Sequence, residues 1–167
     1  MSPMSEEQGV PGKRAAQGRA TRGQLIEVAT GLFADHGYEG TSIEAVLAAA
    51  GVSRGALYHH FAGKEALFTA VLEAVSERIT AQLTEVISGC TDPVDAVRAA
   101  ALGWIDLAGD PVIQRIVLVD APSVLGWEQW REIGLRYGLG LVQGTLQEAM
   151  EAAVSYTHLT LPTNREV

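Results

Sequence analysis

The sequence predicts an all-α chain in two helical parts, and three observations carry that prediction. Apolar residues recur at spacings of three and four along most of its length, with no period-two run that would mark a strand. Helix stop and start signals punctuate it at Gly51-Val52-Ser53, Asp92-Pro93 and Asp110-Pro111. Charge divides it as well. Residues 11–64 hold six basic and four acidic side chains, while from Glu65 onward there are six basic and fourteen acidic, within a net charge of −8. The acidic total alone argues against a nucleic-acid partner; the local balance of the first part restores that option.

Met1 to Ala20 is rich in Gly, Pro, Ser and charge, which predicts a disordered basic arm over residues 1–20. Its Lys13, Arg14 and Arg19 suit phosphates or a minor groove, and equally suit a solvated tail. Thr21 is the expected N-cap of a helix from Thr21 to Asp35, with Leu25, Val28, Ala29, Leu32 and Phe33 as its core stripe. Gly37 ends that helix, and Tyr38 folds back against the same small domain.

Thr41 and Glu44 have the spacing of a capping box, with Ile43, Val46 and Leu47 following on one face. Gly51 supplies the left-handed residue that closes this helix, Val52 is a plug, and Ser53 caps the next. That next helix, Arg54 to Phe61, buries Leu57 and Phe61 and leaves Arg54, Gly55, Tyr58 and His59 on other faces. Three helices thus close around Phe33, Ile43, Val46, Leu57 and Phe61. Helix, glycine turn, helix is the arrangement of a DNA reader.

A long helix runs from Lys64 to about Ser88, and Asp92 with Pro93 starts another through Leu107, its inner side formed by Val97, Ala101, Trp104 and Ile105. A short apolar helix from Val112 to about Leu118 is expected to stop before Pro122. Gly126 separates it from a final helix, Trp127 to about Ala153.

The residues from Thr21 to Leu67 resemble the DNA-binding domain of the tetracycline-repressor (TetR) family of bacterial regulators. The matching features are Thr41-Ser42, Gly51-Val52-Ser53, Gly55, Leu57-Tyr58, His60-Phe61, Lys64-Glu65 with Leu67, and the preceding Ala29, Leu32-Phe33 and Gly37-Tyr38. Residues 120–150 are similar to the middle of the ligand-binding domain in one subgroup of that family. The resemblance implies a helix-turn-helix domain over 21–66 and an effector-binding and dimerisation domain over 67–153 that lacks its last two helices. It also implies a cytoplasmic homodimer on a palindromic duplex operator, acting as a repressor released by an unknown small molecule.

On that resemblance Arg54, Gly55, Tyr58 and His59 are candidate base contacts, because an arginine there can pair in bidentate fashion with guanine. Thr41, Ser42, His60 and Lys64 are candidate phosphate contacts. Trp104, Leu107, Ile116, Trp127, Trp130 and Tyr137 are candidates for an effector pocket, against the plainer reading of each as core packing. No metal or cofactor is expected: His59 and His60 are adjacent, so their rings should diverge, and no ligand-spaced partner accompanies them. No acid, base and nucleophile cluster points to an enzyme. A helical interaction module is the alternative that the residues leave open.

No stretch has the apolar length of a membrane span, and the amino terminus lacks the apolar core of a signal peptide. The single cysteine, Cys90, agrees with a reducing compartment. After Ala153 the chain reads VSYTHLTLPTNREV, without helical periodicity. Back-translation of residues 154–163 in one frame gives GTCTCTTATACACATCTGACGCTGCCGACG, which resembles a transposase mosaic-end sequencing adapter. Residues 154–167 are therefore expected to be non-native. Without closing helices, Leu139, Leu141, Val142, Leu146 and Met150 should leave apolar surface uncovered, so this chain is expected to dimerise poorly and bind DNA weakly.

Overall fold

The computed structural model describes residues 10–139 together with Gln143, Gly144, Leu146, Gln147 and Met150. The expected tail over 154–167 lies outside the described residues, as do residues 1–9 of the arm. All regular structure among the described residues is helical, and none of their helices is long and apolar enough to cross a membrane. The chain divides into two units between Val71 and Leu72.

The first unit holds α1 (Val10–Gly40), α2 (Ile43–Ala50), α3 (Arg54–His60) and the start of α4 (Lys64–Ser88). α1 begins at Val10, so the part of the expected arm from Val10 to Ala20 is helical rather than disordered. Thr21 does not cap it. Its hydroxyl instead donates to the Gln17 carbonyl one turn back, 3.1 Å away, as a threonine inside a helix does. Gly37 breaks α1 as expected, at φ 72° and ψ 174°, a conformation that a Cβ would strain. Leu25, Ala29 and Phe33 from α1, Val46 from α2, Leu57 and Phe61 around α3, and Leu67, Phe68 and Val71 from α4 are all buried. Tyr38 closes one side: its ring stacks on Phe33 and meets Phe68 edge-on. Val28 and Leu32 of the expected α1 stripe, and Ile43 and Val52 beyond it, are only half-buried.

The second unit continues α4 and adds α5 (Pro93–Leu107), α6 (Pro111–Ile113) and α7 (Ala121–Gly134), with π-helical stretches at Gln114–Asp120 and Leu135–Leu139. Asp92 and Asp110 cap α5 and α6 through amide hydrogen bonds of 2.7–3.3 Å, each with proline in the first turn. Ala96 and Ala100 are the buried face of α5, and a side chain at Gly103 would come within 3.1 Å of Leu83 on α4. Of the residues expected on its inner side, Val97, Ala101 and Trp104 border a cavity, and Ile105 is 68% exposed. Ala96, Ala100 and Gly103 form the packed face of α5, and Ile105, about 140° round the helix from Ala100, lies off it.

The chain does not stop before Pro122. It passes through in a π register, with the Ala121 amide donating to the Ile116 carbonyl five residues back. The next bond of that register would run from residue 122 to the Val117 carbonyl, but proline has no N–H. The Trp130 indole donates to that carbonyl at 2.8 Å and replaces the missing donor. Gly126, at φ 78°, makes the expected break within α7. Beyond it, Arg136 pairs with Glu73 and Glu132, and the Thr80 hydroxyl donates to the Tyr137 carbonyl, so the second π-helical stretch is tied to α4.

Candidate functional site

The first candidate surface is α3 and its surroundings. Ser53 caps it, its hydroxyl accepting from the Ala56 amide at 3.2 Å, and Gly51 turns the chain at φ 65° and ψ 29°. Leu57 is fully buried and Phe61, its C-cap, nearly so. Those two anchors leave Arg54, Gly55, Tyr58 and His59 exposed on one accessible side, Tyr58 at 47%. A Cβ at Gly55 would meet open space, so this position offers a bare stretch of backbone at the surface.

Arg54 is not idle. Its guanidinium donates to the Glu44 carboxylate across the turn at 2.6 Å, with both side chains more than half exposed. The carboxylate of Glu44 is held below its usual range, first by a hydrogen bond from its own backbone amide and then by Arg54; the guanidinium of Arg54 is correspondingly raised. Such a pair is weak in water and screened by salt. It orients Arg54 without locking it. The sequence reading paired Glu44 with Thr41 and so missed this tether. The clue lay in placing opposite charges at the starts of two helices joined by a tight turn.

Thr41 does not fit its assigned role. It is buried, and its hydroxyl lies 3.0 and 2.8 Å from the Leu32 and Gly37 carbonyls. Ser42 takes over the capping place, accepting from the Ala45 amide at 3.1 Å, and it is exposed. The N-cap is therefore displaced by one residue, and the reciprocal half of the box is absent, because the third helical residue is then Ala45. Lys64 stands at the start of α4 with its ammonium 4.1 Å from the Tyr38 ring centre, a cation–π contact that fixes its direction. Burial pushes the Tyr38 phenol up, helped by Glu65 and Glu39, so the ring under Lys64 stays neutral.

His60 is half-buried beside α1, where a side chain at Gly18 would come within 3.9 Å of its ring. The His59 and His60 rings do not diverge as expected; they meet edge-on with centres 5.0 Å apart. No group of three metal-binding side chains occurs among the described residues. Arg14 and Arg19 are exposed on the first turns of α1, and the side chain of Lys13 lies outside what is described. Arg22, unassigned from sequence, stacks its guanidinium 5.3 Å from the Phe61 ring centre and brings another positive charge beside α3.

The second candidate is a cavity of about 610 Å³ within the second unit, in the size range of small-molecule sites. Trp104, Trp127 and Trp130 line it, as expected. Leu107, Ile116 and Tyr137 do not. Ile116 is fully buried in the core on the π-helical stretch, Leu107 is half-buried away from the lining, and Tyr137 contributes a carbonyl to Thr80. Their apolar character was legible, but the π register rotates Ile116 relative to an α-helix. Ser76 and Arg131 also border the cavity and were not anticipated.

Residues 25–71 match the profile "Bacterial regulatory proteins, tetR family", and residues 94–158 match "Tetracyclin repressor-like, C-terminal domain". A crystal structure of a TetR-family transcriptional regulator from Pectobacterium atrosepticum is 31% identical, covering 80% of this chain and 70% of that one, with a TM-score of 0.66. The HTH-type transcriptional repressor KstR2 of Mycobacterium tuberculosis is 30% identical over 84 residues, 50% of this chain and 42% of that protein. The HTH-type transcriptional regulator LmrA of Bacillus subtilis is 32% identical over 80 residues, 47% of this chain and 43% of that protein. The matched stretch thus spans less than half the length of either curated relative.

Proposed function

The chain belongs to the TetR family of bacterial regulatory proteins, and on that premise we propose that it regulates transcription by sequence-specific DNA binding, as a repressor released by a small molecule. The observation that carries this is the division of α3: Leu57 is sealed inside while Arg54, Gly55, Tyr58 and His59 face out. In this reading α3 enters the major groove and Arg54 exchanges Glu44 for the O6 and N7 of a guanine. Ser42, Lys64 and the edge of His60 hold phosphates, with Arg14 and Arg19 along the backbone and Lys13 beside them. Thr41 has a different part: it braces the turn that aims Ser42.

One head offers few contacts, so a second copy of the chain supplies another, roughly 34–36 Å away on a near-palindrome. A ligand in the cavity of the second unit releases DNA if it prefers a wrongly spaced state by a few kcal/mol. The test is binding of the chain, continued after Ala153 by its chromosomal codons, to duplex DNA from the regulator's own upstream region, measured across a salt series. Arg54→Ala should cost about 1–3 kcal/mol at one base position and relax selectivity there. Lys64→Gln should weaken all sequences alike and lower the salt slope by about one charge. Binding that ignores both substitutions, or no salt-sensitive binding at all, would retire the proposal. The adapter origin of residues 154–167 is a separate proposal, supported by different chromosomal codons after Ala153 and ended by identical ones.

A further inference from the structure

We infer that the cavity of the second unit takes a small amphipathic anion, an apolar body carrying one carboxylate-like head, with the head at Arg131. The inference rests on the effector reading above and gives that effector a chemical class. Among the described residues the lining is mainly aliphatic and aromatic, with no carboxylate, side-chain amide or imidazole. Every polar side-chain atom that the described residues place on it can donate a hydrogen bond, and among these the Ser76 hydroxyl alone can also accept one. A ligand buried there must therefore bring acceptors.

Arg131 supplies the charge. Arg98, Arg115 and Arg136 of the same unit are each paired with a carboxylate, but Arg131 has no hydrogen bond or ion pair among the described residues. Glu128 and Glu132 are near it in sequence; Glu132 is engaged by Arg136, and Glu128 does not reach Arg131. Arg78 is also unpaired, yet it does not border the cavity. Arg131 is exposed at the rim, so it can stay hydrated without a ligand and offer a bidentate fork to an oxyanion when one arrives.

The tryptophans complete the fit. Trp127 and Trp130 have ring centres 4.9 Å apart, and the Trp130 indole is already committed to the Val117 carbonyl. The indole N–H groups of Trp104 and Trp127 have no partner among the described residues and remain available. Three such rings could also attract a cation. A guanidinium on the same lining opposes that, and no carboxylate among the described lining residues offsets it.

All three tryptophans of the chain line this cavity, so tryptophan fluorescence, excited at the red edge where tyrosine does not absorb, reports on it. The probes are 4-cyclohexylbutanoate and its uncharged amide, neither of which absorbs where tryptophan does. The full chain should bind the acid about tenfold or more tightly than the amide at neutral pH. Arg131→Gln should bring the acid to the level of the amide, with helicity by circular dichroism unaltered. Arg131→Lys should keep part of the preference. Equal affinity for the two probes, or a preference that survives Arg131→Gln, overturns the anion inference while leaving the cavity as an effector site. No fluorescence response to either probe removes the cavity reading and the inference with it.

Discussion

The two units place their working residues on opposite sides of their cores. In the first, α3 rests on Leu57 and Phe61, and its polar residues stand outward on a filled support. In the second, Trp104, Trp127 and Trp130 surround a space that the helices leave unfilled. The first unit is assembled from local devices: a glycine turn at Gly51, serine caps at Ser42 and Ser53, a threonine brace at Thr41. The second bends its helices out of the α register and repairs the consequence with a side chain thirteen residues away, Trp130 on Val117. A surface that must present fixed side chains gains from tight caps. A cavity needs helices that pack imperfectly, and π-helical turns are one way to hold that imperfection open.

The contrast can be pressed hardest at Leu57. Leu57→Ala empties a fully buried site under α3 and should cost about 2–5 kcal/mol in denaturant unfolding, with DNA binding lost. A loss well under that range would mean the support is less rigid than its packing suggests. Next comes Trp130→Phe, which keeps an aromatic ring but leaves the Val117 carbonyl without a donor opposite Pro122. The expected cost is about 1–3 kcal/mol, and an unchanged melting curve would show that the π register does not need the indole.

The smallest effect belongs to Glu44→Gln. The carboxylate pKa of Glu44 is depressed in the folded chain, first by its own amide and then by Arg54, so its contribution is complete above the unfolded carboxylate pKa. That contribution disappears as the pH falls through the depressed value. The variant should therefore be slightly less stable at neutral pH and indistinguishable in acid; a difference that persists in acid would place its origin elsewhere. Freed from Glu44, Arg54 should also raise nonspecific DNA affinity a little at low salt.

Much of the first unit was legible because its signals are local. Gly51, Ser53, Leu57 and Phe61 each act within one turn of chain, and each does what its chemistry indicates. The capping assignment slipped by one residue for a specific reason. Thr41 and Ser42 can both cap, and the choice falls to the Leu32 and Gly37 carbonyls, which come from another turn of the fold. The onset of α1 was missed for a weaker signal: glycines and charges lowered the local propensity from Val10 to Ala20, and the structure nonetheless carries the helix through. In the second unit, Asp92-Pro93 and Asp110-Pro111 were read correctly as caps. Pro122 was read as a stop because proline usually is one, and nothing nearby announces that Trp130 will supply the missing donor.

Residue order alone therefore determined the helical class of this protein, most of its turns and caps, and which residues of α3 are buried anchors and which are exposed. Those follow from backbone hydrogen bonds and side-chain periodicity within a few residues. Tertiary structure decided that Arg54 is held by Glu44, that Thr41 faces inward, and that Ser76 and Arg131 share a cavity with three tryptophans. Each of those depends on groups distant in sequence meeting across packed helices, where small residues such as Ala96 and Ala100 and a shift of helical register set which side of a helix faces in.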